Sequence, residues 1–140
     1  MMYLSFVVLI CLAFAVFNCG ADNVHLTETQ KEKAKQYTSE CVKESGVSTE
    51  VINAAKTGQY SEDKAFKKFV LCFFNKSAIL NSDGTLNMDV ALAKLPPGVN
   101  KSEAQSVLEQ CKDKTGQDAA DKAFEIFQCY YKGTKTHILF

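Results

Sequence analysis

Arginine is absent from this 140-residue chain, and histidine occurs only at His25 and His137. All sixteen basic residues are therefore lysines, balanced by sixteen carboxylates spread along the chain with no block of one sign. Nucleic-acid recognition leans on clustered bidentate donors, which arginine supplies best, so this composition points away from it. Two histidines at opposite ends give no base for a nucleophile, and no nucleophile motif is present. Close cysteine pairs are missing too. A structural zinc site takes ligands two to four residues apart, whereas Cys41, Cys72, Cys111 and Cys129 are separated by thirty, thirty-eight and seventeen residues. Asn81-Ser82-Asp83-Gly84 matches half of a calcium loop, but Val90 occupies the place of the bidentate Glu. No enzyme, metal or cofactor is expected.

Charge is also lacking from the first twenty-one residues, where Tyr3 to Phe17 is almost unbroken Leu, Val, Phe, Ala and Ile. That apolar run is short for a membrane span and is followed by small residues, so residues 1–21 read as a secretory signal peptide cleaved after Gly20 or Ala21. Cleavage removes Cys11 and Cys19 and leaves an even set of four cysteines for an oxidising, extracellular compartment. Residues 22–140 then suffice for one domain with a single core.

Strand-like alternation is absent from that segment, and cap and turn residues cut it into helix-sized pieces, which predicts an all-α fold. Thr27 with Gln30 forms a capping box opening a first helix that stops at Gly46. Ser48 or Thr49 caps a short second helix ended by Gly58. Ser61 opens a third through Phe66, Phe69, Val70, Cys72 and Phe73, whose apolar residues cover more than one face, as in a helix buried on two sides. Asn81 to Gly84 is a turn, Leu86 to Leu95 a short fourth helix closed by Pro96-Pro97-Gly98. Asn100 with Glu103 caps a fifth helix running to Gly116, and Asp118 opens a sixth closing at Gly133. The tail, 134–140, ends on Ile138-Leu139-Phe140; an apolar chain end of this kind is expected to dock.

Four cysteines allow three pairings, and the residues alone choose none of them. Their placement on the first, third, fifth and sixth helices resembles the insect odorant-binding proteins, six-helix secreted domains that normally carry six cysteines. In that pattern the two missing cysteines fall on Lys68, four before Cys72, and Ala120, nine before Cys129, and these two would pair with each other. The chain is similar to the four-cysteine "Minus-C" branch of the PBP/GOBP family. The resemblance implies bridges Cys41–Cys72 and Cys111–Cys129, a compact six-helix fold around an internal apolar cavity, and no catalysis. It implies a secreted carrier of small hydrophobic molecules such as odorants or pheromones through aqueous fluid, with a membrane odorant receptor as a partner. A non-olfactory carrier of other hydrophobic cargo and a helical secreted signalling protein are the alternatives; a deep apolar cavity would separate carrier from signal.

Apolar pockets and cores draw on the same side chains. From helical spacing the candidate lining is Val70, Phe73, Met88, Leu92, Leu108, Phe124, Phe127 and Tyr131, with Asn75 as a polar group facing the cavity and the Tyr131 hydroxyl as a second. Asn75-Lys76-Ser77 and Asn100-Lys101-Ser102 match the N-glycosylation sequon. His137, in the apolar tail, is a candidate for a pH-dependent lid.

Overall fold

The computed structural model describes residues 26–135, which form six helices: α1 (Glu28–Ser45), α2 (Thr49–Lys56), α3 (Lys64–Lys76), α4 (Met88–Ala93), α5 (Lys101–Cys111) and α6 (Ala119–Gly133). Among the described residues the only β-type pairing is an isolated bridge between Leu80 and Leu86. The all-α expectation holds. The expected signal peptide, Cys11, Cys19, His25 and the tail beyond Lys135, including His137, lie outside the described residues.

Local chemistry sets most boundaries where the sequence places them. Thr27 accepts the Gln30 N–H while the Gln30 side chain accepts the Thr27 N–H, so the first capping box is complete. Gly46 ends α1 in the left-handed region at φ 72°, which glycine adopts without a Cβ clash. Ser48 caps α2, Asn100 caps α5 and Asp118 caps α6, each accepting a backbone N–H three residues on.

Four boundaries differ, one of them the end of α4, which closes at Ala93 rather than Leu95. The cap of α3 is Asp63, which accepts the Ala65 N–H, while Ser61 accepts the Asp63 N–H and makes a turn before the helix. Asn87 caps α4 by accepting the Val90 N–H, so that helix starts at Met88, and Leu86 belongs to the bridge with Leu80. Helix α5 ends at Cys111 rather than Gly116, and the segment between runs as a loop to Asp118.

Helix α3 is the centre of the fold. Phe66, Phe69, Val70 and Phe73 are buried at the i, i+3, i+4, i+7 spacing of one broad apolar face. They pack against α6, through Ala123, Phe124, Ile126 and Phe127, and against α1. Burying each Phe contributes about 1.5–3 kcal/mol, and edge-to-face contacts add to this: Phe66 meets Phe124 at 6.1 Å and Phe127 at 6.0 Å between ring centroids. Lys76, at the end of α3, joins α1 by ion pairs to Glu40 (3.1 Å) and Glu44 (3.0 Å). Covalent ties follow the two bridges that the resemblance implies, Cys41–Cys72 between α1 and α3 and Cys111–Cys129 between α5 and α6.

The short helix α4 makes its main helix contact with α5. Ala91, Ala104 and Leu108 are buried in this region, outside the large cluster centred on α3 and α6. The core is thus one large aromatic cluster with a smaller group of buried residues beside it.

Candidate ligand-binding site

A half-open cavity of about 330 Å³ lies between α1, the second half of α3 and the end of α4. That volume falls in the range of small-molecule sites, about 300–1,000 Å³. Leu26, Ala34, Tyr37, Phe73 and Ala93 supply its apolar lining. Tyr37 and Phe73 meet edge to face at 5.9 Å, so the wall shared by α1 and α3 is a fixed aromatic corner.

Polar residues make up the other half of the lining, and hydrogen bonds orient two of them, Ser77 and Gln30. Ser77, buried at 4 % exposure, donates from Oγ to the Phe73 carbonyl at 2.7 Å, which leaves its oxygen free to accept. Lys33, Lys94 and Thr29 complete the lining. Gln30 has two tasks: its Oε1 caps α1, and that bond turns its Nε2 toward the Lys94 carbonyl, to which it donates at 3.2 Å. The side chain therefore spans from the start of α1 to the end of α4, across one edge of the cavity.

Of the residues picked from sequence, Phe73 lines this cavity. Val70, Phe124 and Phe127 are buried with it in the aromatic cluster, and Tyr131, half-buried, packs on Phe127 at 6.0 Å. Leu108 is buried on α5, away from the large cluster, while Met88 and Leu92 are half-buried on α4. Asn75 is exposed and does not join them; the buried polar side chain on this stretch of α3 is Ser77.

Sequence reading missed the α1 wall. Its signal is the spacing of Ala34, Tyr37 and Cys41, an i, i+3, i+7 apolar stripe hidden in an otherwise polar helix. Also missed was Tyr60, in the turn before α3, whose ring stands edge-on to Phe124 (6.0 Å), Phe127 (5.4 Å) and Tyr131 (5.2 Å).

Among the described residues two side-chain oxygens are shielded from water without a hydrogen-bond partner, those of Thr38 and Tyr130. Burial, with a smaller repulsion from Glu103, pushes the Tyr130 phenol above its ordinary value. Among the described residues no cluster of His, Cys, Asp or Glu could hold a metal ion, and no helix is long and apolar enough to cross a membrane.

The two disulfides thus tie together a helical domain that carries a half-open, mainly apolar cavity of small-molecule size. The chain belongs to the PBP/GOBP family, whose model matches residues 23–133. Members of this family are non-enzymatic carriers. The B1 protein of Tenebrio molitor is 33 % identical over 108 residues, covering 76 % of this chain and 82 % of the beetle protein. The solved fatty acid binding protein OBP56a from the oral disk of the blowfly Phormia regina superposes with a TM-score of 0.68 at 37 % identity, covering 79 % of this chain and 96 % of the blowfly chain. Odorant binding protein 7 of Anopheles gambiae, solved with four disulfide bridges and an azo compound, gives a TM-score of 0.67 at 26 % identity over 79 % and 89 % of the two chains.

Proposed function

We propose that this protein is a secreted carrier of the four-cysteine type that encloses small hydrophobic molecules and moves them through an aqueous fluid. The observation that carries the reading is the apolar cavity framed by Leu26, Ala34, Tyr37, Phe73 and Ala93. A guest entering it exchanges water for aromatic and aliphatic contact, worth about 25 cal/mol per Å² of apolar surface covered. Ser77 and the Lys33 and Lys94 ammonium groups at the lining supply the few polar contacts that orient it. We place Phe73 on the wall that a ligand touches, backed by Val70, Phe124, Phe127 and Tyr131. No bond is made or broken, and release of the guest to a membrane receptor is the downstream step of this reading.

Relatives support the class of cargo. The blowfly protein is a fatty acid binding protein and the mosquito protein holds an azo compound. Because the blowfly protein comes from the oral disk, a carrier of hydrophobic cargo outside smell is the second reading.

Displacement of a fluorescent apolar probe by a chemically varied panel tests the reading. Saturable uptake of the probe and its displacement by odorants, pheromones or fatty acids are expected. Failure of the folded protein to take up any probe would overturn carriage.

A further inference from the structure

A second concave surface lies on the other side of α1, between it and α2, with a volume of about 440 Å³. Its floor is made by Leu26, Ala34 and Val42, with Thr38 between the last two on the same face of α1. The Thr38 hydroxyl is shielded from water and has no hydrogen-bond partner. Around this floor stand Lys31, Lys35, Lys43 and Lys56, and no carboxylate lines the groove. Lys31 is paired with Glu28 at 2.9 Å, whereas Lys35, Lys43 and Lys56 are exposed and make no ion pair among the described residues. In a chain of zero formal net charge this is a local excess of cations around an apolar trough.

We propose that this groove is a separate binding site for a single amphiphilic anion, an alkyl chain ending in a carboxylate. The chain lies along Ala34, Thr38 and Val42, and the carboxylate sits among the Lys35, Lys43 and Lys56 ammonium groups. Charge complementarity favours the carboxylate head group, since a neutral alcohol can accept an ammonium hydrogen bond but gains no net Coulomb attraction from the three lysines. Shape selects a free molecule over a membrane surface. A bilayer is met by large side chains that project outward, whereas the floor here is recessed and formed chiefly by small residues. The site is distinct from the cavity described above, with which it shares only Leu26 and Ala34 of its lining.

Titration with dodecanoate, and with dodecanol as the uncharged control, tests this on the full mature chain. The methyl resonances of Thr38 and Val42, which line the groove and not the cavity, report occupancy by NMR. Dodecanoate is expected to shift both, dodecanol neither. The double variant Lys35→Glu/Lys56→Glu and 0.5 M salt should each weaken that response at least tenfold, with uptake of a neutral apolar probe unchanged as the control for folding. Three results would overturn the site: equal shifts with dodecanol, an unaltered dodecanoate response in the variant, or binding to phosphatidylserine vesicles without binding of the monomer.

Discussion

Lys67 of α3 and Asp121 of α6 meet at 2.6 Å, one residue along each helix from Lys68 and Ala120, where the six-cysteine pattern would place its third bridge. The ion pair is half-sheltered, Asp121 also accepts the Gln117 N–H at 3.0 Å, and the Lys67 ammonium stands 5.2 Å from the Phe124 ring centroid. An electrostatic tie thus joins α3 and α6 beside the positions where the resemblance implies a third bridge.

Removing either partner should lower the melting temperature, and both Lys67→Met and Asp121→Asn should lose the salt sensitivity that the tie confers on the parent. The pH window follows from the shifts. The Lys67 bond holds the Asp121 carboxyl below its ordinary range, so its contribution is complete above about pH 4 and is lost as pH falls through the lower folded value. Hydrogen bonding to Asp121 raises Lys67, so that contribution is complete below about pH 10 and is lost as pH rises further. Thermal melts of parent and Asp121→Asn should therefore differ by a constant amount from pH 5 to 9 and converge in acid. A gap that changes across that plateau would contradict the assignment.

Lys68→Cys combined with Ala120→Cys should restore a covalent tie. In the chain-entropy model a loop of this length adds about 4 kcal/mol, enough to raise the melting temperature by more than about 10 °C in a domain of this size. The oxidised double variant should also tolerate Asp121→Asn better than the parent does, because the two ties then overlap. An intact bond with no gain in melting temperature would show that the helices are already held there.

Ala78 follows α3 with φ at 60°, a left-handed conformation that costs a residue bearing Cβ about 1–2 kcal/mol. Ala78→Gly should relieve that strain at the position where helices favour glycine. After the extra freedom gained by the unfolded chain, a net stabilisation of about 0.5–1 kcal/mol is expected in urea melts. Ala78→Val at the same position should be destabilising.

Two substitutions separate the walls of the cavity. Ala93→Phe should fill part of its volume, weakening bulky ligands by tenfold or more while sparing small ones. Ser77→Ala removes the buried hydroxyl and its bond to the Phe73 carbonyl, at a cost of about 1 kcal/mol in stability. Ligands carrying an O–H donor should lose affinity, and hydrocarbons should not. Competitive probe displacement measures both, and equal losses for the two ligand classes would remove Ser77 from recognition.

Sequence carried the framework because its signals are local and redundant. The buried face of α3 is written in Phe66, Phe69, Val70 and Phe73 at helical spacing, and local cap residues mark the three helices that carry the other cysteines. The site was less legible for a physical reason. Ala34 and Ala93 make space by being small, a property that periodicity does not register. Gln30 and Lys94 meet across sixty-four residues of chain, and nothing local in either announces the other. Tyr60 stands alone in a turn, without the repeating partners that mark a buried aromatic. The start of α3 was misplaced because Ser61 and Asp63 are both good caps, and only the folded backbone shows that Ser61 serves Asp63.

Helix α4 has consequences for exchange that its size conceals. Helices α1, α3 and α6 form a block locked by aromatic packing, ion pairs and the Cys41–Cys72 bridge, whereas α4 rests chiefly on α5 and is fastened to α1 by the Gln30 bond to the Lys94 carbonyl. We expect the end of α4 to yield first when a guest leaves, since one carboxamide–carbonyl bond holds it to α1, while its start is held by Asn87, which donates to the Ile79 carbonyl at 2.8 Å. Backbone amides of 88–95 should exchange with solvent faster than those of α3, and Gln30→Ala should speed ligand departure while leaving the melting temperature nearly unchanged. Residence time and stability are then expected to respond to different helices, so that a substitution in α4 alters the first and one in α3 the second.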